Sequence, residues 1–277
     1  MTQRRLFLST FASAMAIASM AATPAAYAQA FDHSHTAWTA LLKKHVVVLQ
    51  GGRASQVRYA GMAQDQVALK AYLASLSAVS QAAFDAMSKP QQMAFLINAY
   101  NAFTVELILS KHPKLASIKD LGGFLSSPWK PKIVPLLGGM HSLDNIEHDM
   151  LRARGRYDEP RVHFAVNCAS IGCPALREEA FTPDKLEAQL EEQTTRFMSD
   201  RSRNRWNAAD GKLEVSKIFD WFGEDFRSGF KGITSAGVFY AKYAAQLADA
   251  PAERERVRAG TAPVSYLEYD WKLNDAR

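Results

Sequence analysis

Ser88-Lys-Pro-Gln-Gln-Met-Ala-Phe-Leu-Ile-Asn-Ala-Tyr-Asn-Ala-Phe-Thr-Val-Glu-Leu-Ile-Leu109 is the stretch that decides the architecture. Ser88 and Gln91 make a capping box, Pro90 falls in the first turn, and His112-Pro113 ends the helix that follows. Phe95, Leu96, Ile97, Phe103, Val105, Leu107, Ile108 and Leu109 cover most of its circumference, so this helix is expected to be central and nearly surrounded. Asn98 and Asn101 then carry information, because they lie three apart on one side. A buried amide without partners costs about 1–3 kcal/mol, so each is expected to bond to backbone or to line a polar cleft.

Outward from this helix the chain alternates short helical and extended patterns. Trp38, Leu41, Leu42, His45, Val48 and Leu49 follow helical spacing over 36–49, with Gly51-Gly52 as the stop and His45 a structural residue on the apolar face. Val57-Arg-Tyr59 reads as a short strand, and 64–77 as a helix with Val67, Ala71, Leu73 and Leu76 inward. Residues 121–139 are rich in Gly and Pro, with a short strand at 132–134. Ser142 is the expected cap of a helix to Arg152, which places Asp144 and His148 four apart on one face as an Asp–His pair or, with His163, a metal site. Thr182-Pro-Asp-Lys185 starts a helix to about Met198, and Asp210-Gly211 turns a hairpin between 203–207 and 212–215. Ser216 caps a helix to Phe226, followed by helical stretches near 237–247 and 252–258 and a closing segment 264–271. The fold class expected is α+β: a helix-rich single domain with a small, mainly antiparallel sheet around a buried central helix.

Both cysteines of the chain lie in Arg161-Val-His-Phe-Ala-Val-Asn-Cys-Ala-Ser-Ile-Gly-Cys-Pro-Ala-Leu-Arg177. Residues 161–168 read as a strand that runs into a turn-rich loop. In a strand His163 and Cys168 point to opposite faces, so any His163–Cys168 pair requires a twist at Asn167. Three states are open to Cys168 and Cys173: a structural disulfide across a short loop, one reactive thiol, or two reduced buried cysteines.

The first residues carry Arg4-Arg5-Leu6-Phe7-Leu8 before an apolar run and a small-residue tail Ala26-Tyr27-Ala28, which reads as a cleaved twin-arginine signal peptide over 1–28 and export to the periplasm. The remaining chain, 29–277, is read as one domain with no further membrane span. The formal net charge of +5 falls by two with Arg4 and Arg5, too small an excess to suggest nucleic-acid binding. Gly122-Gly123 and Gly138-Gly139 match neither a phosphate loop nor a dinucleotide fingerprint, and no cofactor is expected.

Five blocks together resemble the domain-of-unknown-function family 547: 95–103, 143–148, 162–177, 218–226 and 269–274. The resemblance implies a helix-rich domain found in bacteria and plants, and no established activity. Its motif positions fall on Asn98, Asn101, Asp144, His148, His163, Cys168, Cys173 and Arg177. Two function classes follow. In the first, Cys168 or Cys173 is the nucleophile of a hydrolase or acyltransferase acting on an envelope peptide or amide. There His163 moves the proton, and Asn98, Asn101 or Asp144 orients the imidazole or the oxyanion. Arg177, His148 and Trp221 then contact substrate. In the second, a disulfide-stapled envelope module binds a peptide, amide or protein through Arg177, Trp221 and Phe222.

Overall fold

The computed structural model describes Met1, residues 31–123 and residues 127–276. The signal segment expected over 1–28 lies, beyond Met1, outside the described residues. The helices are α1 (Thr36–His45), α2 (Tyr59–Gln64), α3 (Gln66–Ser77), α4 (Gln81–Asp85), α5 (Lys89–Leu109), α6 (Leu186–Met198), α7 (Ile218–Trp221), α8 (Ala236–Lys242), α9 (Ala244–Leu247) and α10 (Pro251–Arg258). The strands are β1 (Val46–Leu49), β2 (Ala54–Val57), β3 (Val134–Leu136), β4 (Gly139–His141), β5 (Arg205–Asn207), β6 (Lys212–Ser216) and β7 (Val264–Leu267). They form two antiparallel hairpins, β1–β2 and β3–β4, and a three-stranded sheet β5–β6–β7 in which β6 and β7 run parallel. The architecture is helix-rich α+β.

The central helix forms as its sequence dictates. Ser88 accepts from the Gln91 backbone while the Gln91 side chain accepts from Ser88 N–H, and α5 runs 21 residues with Phe95, Leu96, Ile97, Asn98, Tyr100 and Asn101 all buried. One apolar core surrounds α5 and reaches α1, α3 and the 134–151 region. A second, dominated by Phe164, Phe197, Phe219, Phe226 and Phe239, lies under α6 to α8 and the β5–β6–β7 sheet. Fully burying an aromatic side chain contributes about 1.5–3 kcal/mol, so this phenylalanine cluster is the main cohesive element of the second half.

Several sequence expectations are corrected here. The first helix stops at His45, because Val46-Val47-Val48 are β-branched and pair as a strand with 54–57, leaving Val48 exposed. A break at Asp65 resets the phase of the next helix, so Leu69, Tyr72, Leu73 and Leu76 point inward while Val67 is 86% exposed. Ala71 is also exposed. The helix expected over 217–226 breaks after α7, and a separate short turn begins at Asp225. Residues 161–168 are not a strand. Pro160–Phe164 form a 3₁₀ turn in which the Glu159 carboxylate accepts from Arg161 N–H, so the strand parity that separated His163 from Cys168 does not apply.

A cystine-floored aromatic cleft

Asn98 and Asn101 act as clamps on neighbouring backbone. Asn98 donates to the Phe181 carbonyl at 2.7 Å and accepts from Phe181 N–H at 3.0 Å. Asn101 donates to the Ala165 carbonyl at 2.9 Å and accepts from Asn167 N–H at 2.8 Å. Each amide thus replaces the sheet partner that the segment lacks. Of the two environments expected for Asn98 and Asn101, bonding to backbone is the one found, and neither lines the cleft described below. Asn101 fixes the backbone between His163 and Cys168; Asn167 continues the clamp by donating to the Pro174 carbonyl and accepting from Ala169 N–H.

Beyond Asn167 the chain turns through Ala169 at φ +61°, and Cys168 and Cys173 are joined by a disulfide. Cys168 is half-buried and Cys173 is 4% exposed. The 169–172 loop is held against a distant segment: Ile171 N–H donates to the Lys272 carbonyl, Gly172 N–H to the Asp270 carbonyl, and Asn274 N–H to the Ala169 carbonyl. This pairing presses Tyr269 against Gly172, where an added Cβ would meet the ring at 2.8 Å. The Tyr269 hydroxyl consequently lies 3.2 Å from Cys168 Sγ and 3.3 Å from Cys173 Sγ. Burial pushes the phenol above its ordinary range, more than the Ser170 hydrogen bond lowers it, so Tyr269 stays protonated as a donor.

His163 enters from the 3₁₀ turn. Its Nε2–H donates to Asp225 Oδ2 at 2.7 Å, and its ring stacks on Phe222 at 4.1 Å between centroids. Asp225 also accepts from Arg152 Nε at 2.5 Å and from a second Arg152 nitrogen at 3.2 Å, while Arg152 donates to His148 Nδ1 at 2.6 Å. Burial alone would raise the Asp225 pKa, but the His163 and Arg152 hydrogen bonds outweigh it and hold the carboxyl well below the usual carboxylate range. Asp225 therefore stays ionised and orients His163, leaving Nδ1 as the ring nitrogen not engaged with Asp225.

Together these groups line a cleft of about 170 Å³ bounded by Tyr100, Trp129, Asp144, Glu147, His148, His163, Cys168, Cys173, Trp221, Phe222, Tyr269 and Trp271, among others. Trp221, Tyr269 and Trp271 form one contiguous wall, with centroid separations of 4.9, 5.6 and 4.5 Å, and Trp129 extends it at 6.0 Å from Trp271. Asp144 and His148 approach at 3.9 Å across one turn, and burial together with the neighbouring Glu147 carboxylate pushes the Tyr100 phenol well above its ordinary range. Among the described residues no group of three or more His, Cys, Asp or Glu is placed to hold a metal ion, and no helix is long and apolar enough to cross a membrane.

Seven expected site residues thus meet in the cleft: Asp144, His148, His163, Cys168, Cys173, Trp221 and Phe222. Arg177 does not. It is 4% exposed, paired with Glu179 and Glu192, and does not line the cleft. The reading from sequence missed Asp225, Tyr269, Trp271, Trp129, Tyr100 and Glu147. Glu147 was within reach, being three residues after Asp144 on one turn. Tyr269 and Trp271 share a face of an extended segment, but nothing local ties that segment to the cysteines.

The fold and site define a helix-rich α+β domain with an aromatic-walled cleft over a cystine. Residues 84–198 match the family model described as "Protein of unknown function, DUF547". No curated protein and no solved structure matches the chain.

Proposed function

We propose that the chain is a disulfide-stapled binding module of the bacterial cell envelope whose cleft takes a peptide or amide-bearing ligand. The observation that carries this reading is the wall of Trp129, Trp221, Tyr269 and Trp271 facing Asp144, Glu147, His148 and His163 across one cleft. Amide planes stack on such rings, and their N–H groups find acceptors in the carboxylates opposite. Both sulfurs are consumed in the disulfide, which removes the resting nucleophile a thiol enzyme needs. The envelope assignment is supported by the Arg4-Arg5 leader and by the disulfide, a bond at home in oxidising compartments.

The test is tryptophan fluorescence of the oxidised protein titrated with a panel of short peptides and N-acyl amides. A saturable change that Trp221→Ala weakens is the expected result, since Trp221 is 43% exposed and contributes to the wall. The double variant Cys168→Ser/Cys173→Ser is expected to lower the melting temperature and keep binding. Unchanged stability with binding abolished would refute the module.

A second reading is favoured by the Asp225–His163 pair in the same cleft as Cys168: a thiol-dependent hydrolase or acyltransferase with His163 as base and Asp225 as its orienter. It requires the reduced protein. Amide hydrolysis in the presence of dithiothreitol, lost in Cys168→Ser and in His163→Ala, would displace the binding reading.

A further inference from the structure

The two sulfurs of the cystine are not equivalent. Both line the cleft, but Cys168 is half-buried whereas Cys173 is 4% exposed. Cys168 N–H donates to Cys173 Sγ at 2.8 Å, a bond that Cys168 Sγ does not share. The hydroxyls of Tyr269 and Ser170 serve both sulfurs, at 3.2 Å from Cys168 Sγ and at 3.3 and 3.4 Å from Cys173 Sγ, so the backbone donor is what sets Cys173 apart. The Arg203 guanidinium, bonded to the Cys173 carbonyl, adds positive charge to the same side. Donors and a cation around a sulfur stabilise its thiolate, and in disulfide exchange the sulfur with the more stable thiolate leaves faster. One sulfur is therefore open to attack, and the other is equipped to depart.

We propose that this cystine is a thiol–disulfide exchange site, with Cys168 as the sulfur attacked and Cys173 as the leaving group, and that its partner is a dithiol reaching it through the aromatic cleft. The partner's first thiolate attacks Cys168 Sγ. The Cys168–Cys173 bond breaks, its electron pair goes to Cys173 Sγ, and a mixed disulfide joins the partner to Cys168. The partner's second thiolate then attacks its own sulfur in that mixed disulfide, closes the partner's disulfide and releases Cys168 as thiolate. Two electrons pass from the dithiol to the cystine, and the dithiol's two protons end on Cys168 and Cys173. His163, oriented by Asp225 in the same cleft, is placed to take the proton from the first thiol as it becomes nucleophilic. The binding reading above is independent of this step, since it is measured on the oxidised protein without thiols.

The experiment uses the oxidised full chain with no substitution. Incubated with excess glutathione, quenched in acid and mapped by peptide mass, the mixed disulfide is expected on Cys168. Reduction by dithiothreitol is expected to be at least as fast for the folded protein as for the same chain unfolded in urea, where a merely structural staple would be protected by the fold. Adduct on Cys173, adduct spread equally over both, or reduction only after unfolding would each overturn the proposal. Tyr269→Phe keeps the ring and removes a donor shared by both sulfurs, which deprives the departing thiolate of part of its stabilisation, so reduction is expected to slow about threefold to tenfold. An unchanged rate in a folded Tyr269→Phe protein also counts against the assignment, and if that variant fails to fold, the mapping on the unaltered chain decides.

Discussion

Replacing Asp225 with Ala removes the group on which the polar side of the cleft converges. Its carboxylate accepts from His163 at 2.7 Å and from Arg152 at 2.5 and 3.2 Å, with side-chain exposures of 1% for His163 and 20% for Arg152. Losing the carboxylate strands the His163 donor away from water, at a cost of about 1–3 kcal/mol. Arg152 keeps His148 as an acceptor and reaches solvent, so its loss adds less than about 1 kcal/mol. The sum is about 1–4 kcal/mol, which for a domain of this size lowers the melting temperature by about 2–16 °C. The pH dependence supplies the sharper test. His163 and Arg152 hold the Asp225 carboxyl below its ordinary range despite burial, so its stabilisation is complete above the unfolded Asp pKa of about 4. It is lost as pH falls through the folded value. Melting followed by circular dichroism should therefore show the gap between wild type and Asp225→Ala in full at pH 7 and closing in strong acid. A gap below about 0.5 kcal/mol at pH 7, within the range of ordinary surface substitutions, would refute this account of the Asp225 network, as would a gap that does not change in acid.

Three further outcomes are expected. Asn101→Ala leaves the Ala165 carbonyl and Asn167 N–H without their partner and should cost about 2–4 kcal/mol in urea unfolding, while a loss below about 1 kcal/mol would show that the clamp is replaceable. Gly172→Ala forces a Cβ to within 2.8 Å of the Tyr269 ring and should destabilise by about 1–3 kcal/mol with a shift in near-ultraviolet circular dichroism, whereas an unperturbed aromatic spectrum would contradict the packing. His35 is held neutral by burial, which lowers its pKa to about 4 against a weaker opposing pull from Asp32. With the folded value below the unfolded 6.5, its contribution is full above pH 6.5 and falls by up to about 3 kcal/mol as pH drops towards 4; His35→Gln should flatten that part of the stability curve, and an unaltered slope would exclude His35 as its source.

The central helix was legible in the sequence because its determinants are local: Ser88, Gln91 and Pro90 fix its start, and an apolar circumference fixes its burial. The β5–β6 hairpin was legible for the same reason, through Asp210-Gly211. The His163 to Cys168 segment was not. Its β-branched and aromatic residues read as a strand, yet Glu159 and Pro160 wind its start and the Asn101 side chain takes the hydrogen bonds a sheet neighbour would have made. That partner lies 66 residues from Asn167, beyond any local pattern. Arg177 looked like a surface arginine because charge normally implies exposure; Glu179 stands two residues on, but the second partner, Glu192, comes beside it only through the packing of α6. Asp144 and His148 could be placed on one face from spacing alone, but the aromatic wall opposite them comes from two segments far along the chain.

The family match covers residues 84–198, and the cleft divides unevenly across that border. Inside it lie Asp144, Glu147, His148, His163 and the cystine; outside it lie Trp221, Phe222, Tyr269 and Trp271, together with Asp225, which steadies His163. The shared segment is in this sense a socket and the flanking segments are its faceplate. Replacing residues 218–226 and 269–274 with those of another chain would therefore reshape the opening and, by exchanging Asp225 and Tyr269, also retune the imidazole and the cystine behind it, so the faceplate governs the socket's chemistry as well as what passes through it.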